Sequence, residues 1–206
     1  MSSANDHARE DLAYIRALVE GPAVDPDFGI GYFLAGLLYG AQIVASGLQI
    51  AGWLPSTPAW SLTINLLPTA MLVVTLVAIH VFRRTGSKPS GVVGRTISAL
   101  FATLGASNLV FLAVVAFASA QGGGRVAWLM YGCAVFVLQG AAWMVAWVLR
   151  RKPWLAAVGA GWFMTAIGMA AAISRLELYV LICGVGLTAC MTAPGYAMMR
   201  QTAKAG

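Results

Sequence analysis

The sequence predicts an all-α fold: a polytopic membrane bundle of six transmembrane helices preceded by a short N-terminal amphipathic cytoplasmic helix. Three observations predict it. The 206 residues are 60% hydrophobic and only 10% charged, against about 25% charged in soluble domains, and the mean hydropathy is +0.80. Six apolar stretches of about 20 residues or more recur along the chain, each long enough to cross about 30 Å of hydrocarbon. The basic residues collect in alternate loops. A soluble domain of this size has no interior able to hide that much apolar surface, so lipid must be the solvent.

The first element is expected over residues 6–20. Asn5 or Asp6 can cap it, Leu12, Ile15, Leu18 and Val19 share one face, and Gly21-Pro22 ends it. Its polar face is mostly acidic, which suits docking on basic loops or on a partner better than attraction to anionic lipid. This segment, residues 1–27, is followed by a transmembrane domain over 28–200 and a cytoplasmic tail over 201–206. The six spans fall at approximately 30–54, 60–82, 97–119, 126–149, 153–174 and 177–199. Pro-Ser-Thr-Pro-Ala at 55–59 and Gln-Gly-Gly-Gly at 121–124 supply tight turns.

Orientation follows from the basic residues. With both termini inside, eleven face the cytoplasm (Arg9, Arg16, Arg83, Arg84, Lys88, Arg95, Arg150, Arg151, Lys152, Arg200 and Lys204), and only Arg125 and Arg175 face the other side. That asymmetry is a strong positive-inside bias. Trp53, Trp60 and Trp128 near one surface, and Trp147 and Trp154 near the other, are placed as interfacial anchors. The second, fourth and sixth spans end in basic residues, and the first, third and fifth are rich in small ones. This pattern can be read as three hairpins of one plan, although any six-span chain alternates in this way.

The same distribution argues against nucleic acid as a partner. Six of the seven acids lie in the first 27 residues, and the bases form short clusters between apolar runs rather than a stripe for phosphate. No basic n-region precedes a short apolar core, so a cleaved signal peptide is not expected. Cys133, Cys183 and Cys190 all fall inside apolar runs and read as small buried hydrophobes.

Several residues within the spans invite a functional reading. Gly36 and Gly40 form a GxxxG pattern, and small residues recur at Ala157/Gly161 and Gly168/Ala172; such spacing lets helix backbones approach closely, most simply within the bundle. Gln42, Asn108 and Gln139 lie near the middle of their spans, with Asn65 and Gln49 nearer the outer surface. Amides in hydrocarbon need partners, so they are expected either to bond between helices or to line a cavity for a small neutral ligand. Pro68 and Pro194 interrupt regular spans, and each kink can shape a site or simply bend a helix.

Other chemistry finds little support. His80 is the only histidine in a span, too few for a bis-histidine haem, and the cysteines have no metal-site spacing, so no cofactor and no metal is expected. Glu177 is the only acid after residue 27 and lies two residues from Arg175 at a rim. Without a buried carboxylate or base there is no proton relay, and no nucleophile has a partner at its depth, which argues against an enzyme.

Gln139-Gly-Ala-Ala-Trp143, continuing through Trp147-Val-Leu-Arg-Arg-Lys-Pro-Trp154 to Gly161-Trp162, resembles a group of bacterial six-helix inner-membrane proteins to which no activity is assigned. Asp11-Leu-Ala-Tyr-Ile-Arg-Ala-Leu-Val-Glu20 and Ala193-Pro-Gly-Tyr196 are similar to its ends. The resemblance implies a multi-pass inner-membrane protein and carries no functional residues with it. Two functions remain as expectations. One is a non-catalytic accessory, assembly or regulatory subunit with a membrane-protein partner or a homo-oligomer. The other is a carrier, channel or sensor for a small neutral molecule, built on Gln42, Asn108 and Gln139.

Overall fold

The computed structural model describes residues 26–82 and 92–203. The expected amphipathic segment over 6–20 and most of the basic connection after Phe82 lie outside these residues. The chain is an all-α bundle of six helices, each long and apolar enough to cross a membrane: α1 Pro26–Ile50, α2 Pro58–Phe82, α3 Val92–Ala118, α4 Gly124–Arg150, α5 Pro153–Ala171 and α6 Leu176–Ala203. An even number of crossings returns the chain to the face it started from, here called the terminal face; the opposite one is the distal face.

Local chemistry sets the helix ends. Proline opens α1, α2 and α5, where its missing N–H costs nothing and its fixed φ suits a first turn. Before α2, the Thr57 hydroxyl accepts a long hydrogen bond from the Trp60 amide, 3.5 Å. The first helix stops at Ile50, four residues short of the expected end, because Gly52 adopts φ +77°. The Gly52 amide then donates to Gln49 O at 3.0 Å and the Trp53 amide to Leu48 O at 2.8 Å, which is a Schellman closure. The Gln49 side chain ties the turn down by donating to Pro55 O at 2.7 Å.

Between α3 and α4 the turn is a five-residue π-helical stretch, Ser119–Gly123, with Gly122 at φ +103° and Gly124 at φ +57°. Trp128 Nε1 donates across it to Ser119 Oγ at 3.0 Å. The third helix starts at Val92, five residues earlier than expected, so Arg95 belongs to its first turn.

The closest helix contact joins the two ends of the domain, α1 and α6. Bare backbone makes it possible: a Cβ added at Gly36 would lie 2.6 Å from Met191 Cβ, and one at Gly195 would lie 2.6 Å from Phe33 N. Gly40 faces Thr188, and Gly184 faces Val44 in the same way. From this clasp the array extends through α5 to α4, with Gly140 against the Phe163 ring and Gly159 against Met144. The core lies among α1, α4, α5 and α6 with Ile97 added from α3, and Trp143, Trp162 and Met169 are its largest fully buried side chains.

Helices α2 and α3 flank this core, α2 packed on α1 and α3 on α4. Only 6% of the most apolar window of each is buried, against 33% for α4, so the rest of the chain leaves most of their surface uncovered. The outward faces differ. That of α2 carries large apolar side chains, among them Leu62, Leu66, Val73, Val74 and Val77. That of α3 carries small and hydroxyl-bearing ones over residues 99–107: Ala99, Ala102, Thr103, Gly105, Ala106 and Ser107 are all exposed.

Candidate functional site

Of the four amides expected to mark a cavity, three fall into two separate interhelical contacts and Gln139 stands apart. Gln42 and Asn65 meet across the α1–α2 interface, with Gln42 Nε2 donating to Asn65 Oδ1 at 3.3 Å. Asn65 Nδ2 donates to Ser61 O at 2.7 Å, and Ser46 Oγ donates to Gln42 O at 2.9 Å. On the other flank, Tyr131 of α4 donates its hydroxyl to Asn108 Oδ1 of α3 at 3.1 Å, and the Tyr131 ring packs on Phe111 at 5.4 Å. Gln139 belongs to neither pair. Its Oε1 is buried without a partner, as is Gln42 Oε1. Among the described residues no hydrogen bond links the two pairs or joins either to Gln139.

The prolines lie inside continuous helices, Pro68 in α2 and Pro194 in α6. Neither nearby polar side chain answers the carbonyl that its proline frees. Asn65 bonds to Ser61 O and Gln42 instead, and Thr192 Oγ1 is buried without a partner. The Pro194-Gly195 step has a packing consequence: both residues are buried, and Gly195 lies against the Phe33 backbone. Gly36 and Gly40 are packing positions within the chain, covered by Met191, Thr192 and Thr188 of α6.

Sequence reading missed the polar contacts made by aromatic residues. Trp143 Nε1 donates to Tyr32 Oη at 2.9 Å in a buried α4–α1 bond. Around it, Phe101 and Trp154 stand edge-on or tilted to Trp143 at 5.4 and 6.0 Å, so α1, α3, α4 and α5 meet in one aromatic cluster. Trp154 is therefore a packing residue with a buried Nε1 rather than a free interfacial anchor. Trp53 is 80% exposed. Nearer the distal face, Tyr179 of α6 donates to Leu129 O of α4 at 2.6 Å, with Cys133 Sγ 4.0 Å away. The available signal was a tyrosine or tryptophan inside an apolar span, whose polar tip needs a partner once buried.

The three cysteines are buried and free, and no group of three or more metal-binding side chains occurs among the described residues. The His80 side chain lies outside them. One shallow groove faces outward on α3. It has a volume of about 400 Å³ and is lined by Thr103, Ala106, Ser107, Val110, Phe111 and Val114. A Cβ added at neighbouring Gly105 would meet nothing within 4 Å. The groove and the open glycine leave the middle of α3 without a helix packed on its outward side. No protein-family model matches the chain, and no curated protein or solved structure does.

Proposed function

We propose that this chain is a multi-pass protein of the bacterial inner membrane, with both termini cytoplasmic, serving as a non-catalytic accessory, assembly or regulatory subunit of a larger membrane complex. The open face of α3 carries this reading. Lipid tails exert no hydrophobic drive between helices, so small side chains matter in a span chiefly where another backbone comes close. In α1 such residues are covered by α6, whereas in α3 Thr103, Ala106 and Ser107 line an uncovered groove. The pairing of Gln42 with Asn65 and of Asn108 with Tyr131 fits polar groups used as glue between neighbouring helices.

Native mass spectrometry of the full chain, extracted gently from its own membrane, tests the reading. A stoichiometric membrane-protein partner, depleted when residues 2–20 are deleted, is the expected result. A bare monomer from every extraction would sink it.

A second reading, a carrier or sensor for a small neutral molecule, rests on the orphaned oxygens of Gln42 and Gln139. Buried acceptors of this kind accept from water or from a ligand N–H or O–H. Replacing Gln42, Asn108 and Gln139 together by Leu should then abolish a small added mass seen on the native monomer. Persistence of that mass in a folded triple variant would rule the reading out.

A further inference from the structure

At the distal face, the end of α1 and the start of α6 enclose an open groove of about 580 Å³, within the roughly 300–1,000 Å³ range of small-molecule sites. Its walls are amphipathic. Ser174, Arg175 and Glu177 form the upper rim, and Ile50, Leu178 and Leu181 form the lower part. Leu181 lies five residues beyond Leu176, about 7 Å deeper along the helix, so the groove runs from the headgroup layer into the hydrocarbon. Its base is firm because Gly47 brings α1 against Val180 and Leu181.

The charges on the rim are unusual for this face. Beyond Arg125, Arg175 and Glu177 are the only charged residues that the sequence places there, and Glu177 is the only acid. Both side chains are exposed and line the same groove, and among the described residues no ion pair joins them. A guanidinium binds phosphate oxygens in a fork, and a carboxylate binds an N–H-bearing cation; each contact is charge-assisted. The first-turn amides of α6, which have no intrahelical acceptor, add to the pull on an anion beside Arg175.

We infer that this groove binds a zwitterionic phospholipid with a primary ammonium headgroup, its phosphate on Arg175, its ammonium on Glu177 and an acyl chain along Ile50, Leu178 and Leu181. Headgroup chemistry discriminates among lipids here. A choline headgroup carries the same charges but no N–H to donate, and a glycerol headgroup brings a phosphate for Arg175 but no cation for Glu177.

The test uses the full-length protein in nanodiscs made from equal parts phosphatidylethanolamine, phosphatidylcholine and phosphatidylglycerol, with native mass spectrometry counting the lipids that stay bound. Phosphatidylethanolamine should be retained over phosphatidylcholine by about threefold, the size of one exposed charge-assisted contact. Glu177→Gln should abolish that preference and favour phosphatidylglycerol, Glu177→Asp should keep it, and Arg175→Gln should lower retention of all three lipids. Both positions are exposed, so an unchanged melting temperature will show that the variants remain folded. Retention matching the bulk lipid ratio in the parent protein, or a preference unmoved by both Gln substitutions, would overturn the assignment.

Discussion

Gly36 and Gly105 are both glycines in the middle of apolar helices, yet their surroundings oppose each other. At Gly36 a Cβ would press on Met191 and Thr192, while at Gly105 it would meet open space. Gly36→Leu should therefore destabilise the bundle by about 1–3 kcal/mol through overpacking. Gly105→Ala should be neutral or stabilise by up to about 1 kcal/mol, because alanine restricts the unfolded chain and favours the helix. Unfolding in mixed micelles with a graded denaturing detergent measures both. Equal effects at the two positions would refute the α1–α6 clasp. The Trp143–Tyr32 bond permits a second measurement at this scale. A double-mutant cycle with Trp143→Phe and Tyr32→Phe should return a coupling of about 0.6 kcal/mol, the usual worth of a hydrogen bond between membrane helices. A coupling of zero would mean that the indole and the phenol do not bond in the folded protein.

Among the elements, helix ends show which local signals could be read in advance. Five of the six spans start within about four residues of their expected places, because a run of apolar residues bounded by proline, glycine or charge is enough to define a crossing. The end of α1 was placed too late because Trp53 and Leu54 are apolar, although Gly52 already marks the left-handed stop. Gly52→Ala should cost about 1 kcal/mol, since φ +77° crowds a Cβ. Arg151 gives the converse case, a non-glycine residue at φ +55° between α4 and α5. Arg151→Gly should stabilise by about 0.5 kcal/mol, the relief of strain outweighing the entropy of a glycine. Thermal unfolding of the two variants should therefore move in opposite directions, and movement in the same direction would contradict these turn conformations. The amides mark the limit of sequence reading at this scale. The depth of Gln42, Asn108 and Gln139 follows from counting residues, but their rotation about each helix axis does not. In lipid both faces of a helix are apolar, so periodicity no longer says which side is inside. That is why Tyr131 was not foreseen as the partner of Asn108.

Over the whole molecule, the order of packing was the least legible feature. Both α2 and α4 are long and apolar enough to cross a membrane, yet one flanks the array and the other forms its core. The contact between first and last helices depends on glycines that meet only across the full length of the domain. Orientation, by contrast, is expected from the charge asymmetry of the loops. A green fluorescent protein fused after Gly206 should fluoresce and an alkaline phosphatase fused there should be inactive, and the reverse pattern would invert the topology. The proposed accessory role rests on the outward side of α3, where Thr103, Ala106 and Ser107 line an open groove. The most direct measurement is partner recovery in native mass spectrometry from membranes expressing Ala106→Leu, which fills that groove without touching the α1–α6 clasp. Loss of a stoichiometric partner, with the melting temperature of the remaining subunit unchanged, is the predicted result. Full recovery of that partner with the groove filled would show that α3 is an ordinary lipid-facing helix and that association, if any, lies elsewhere.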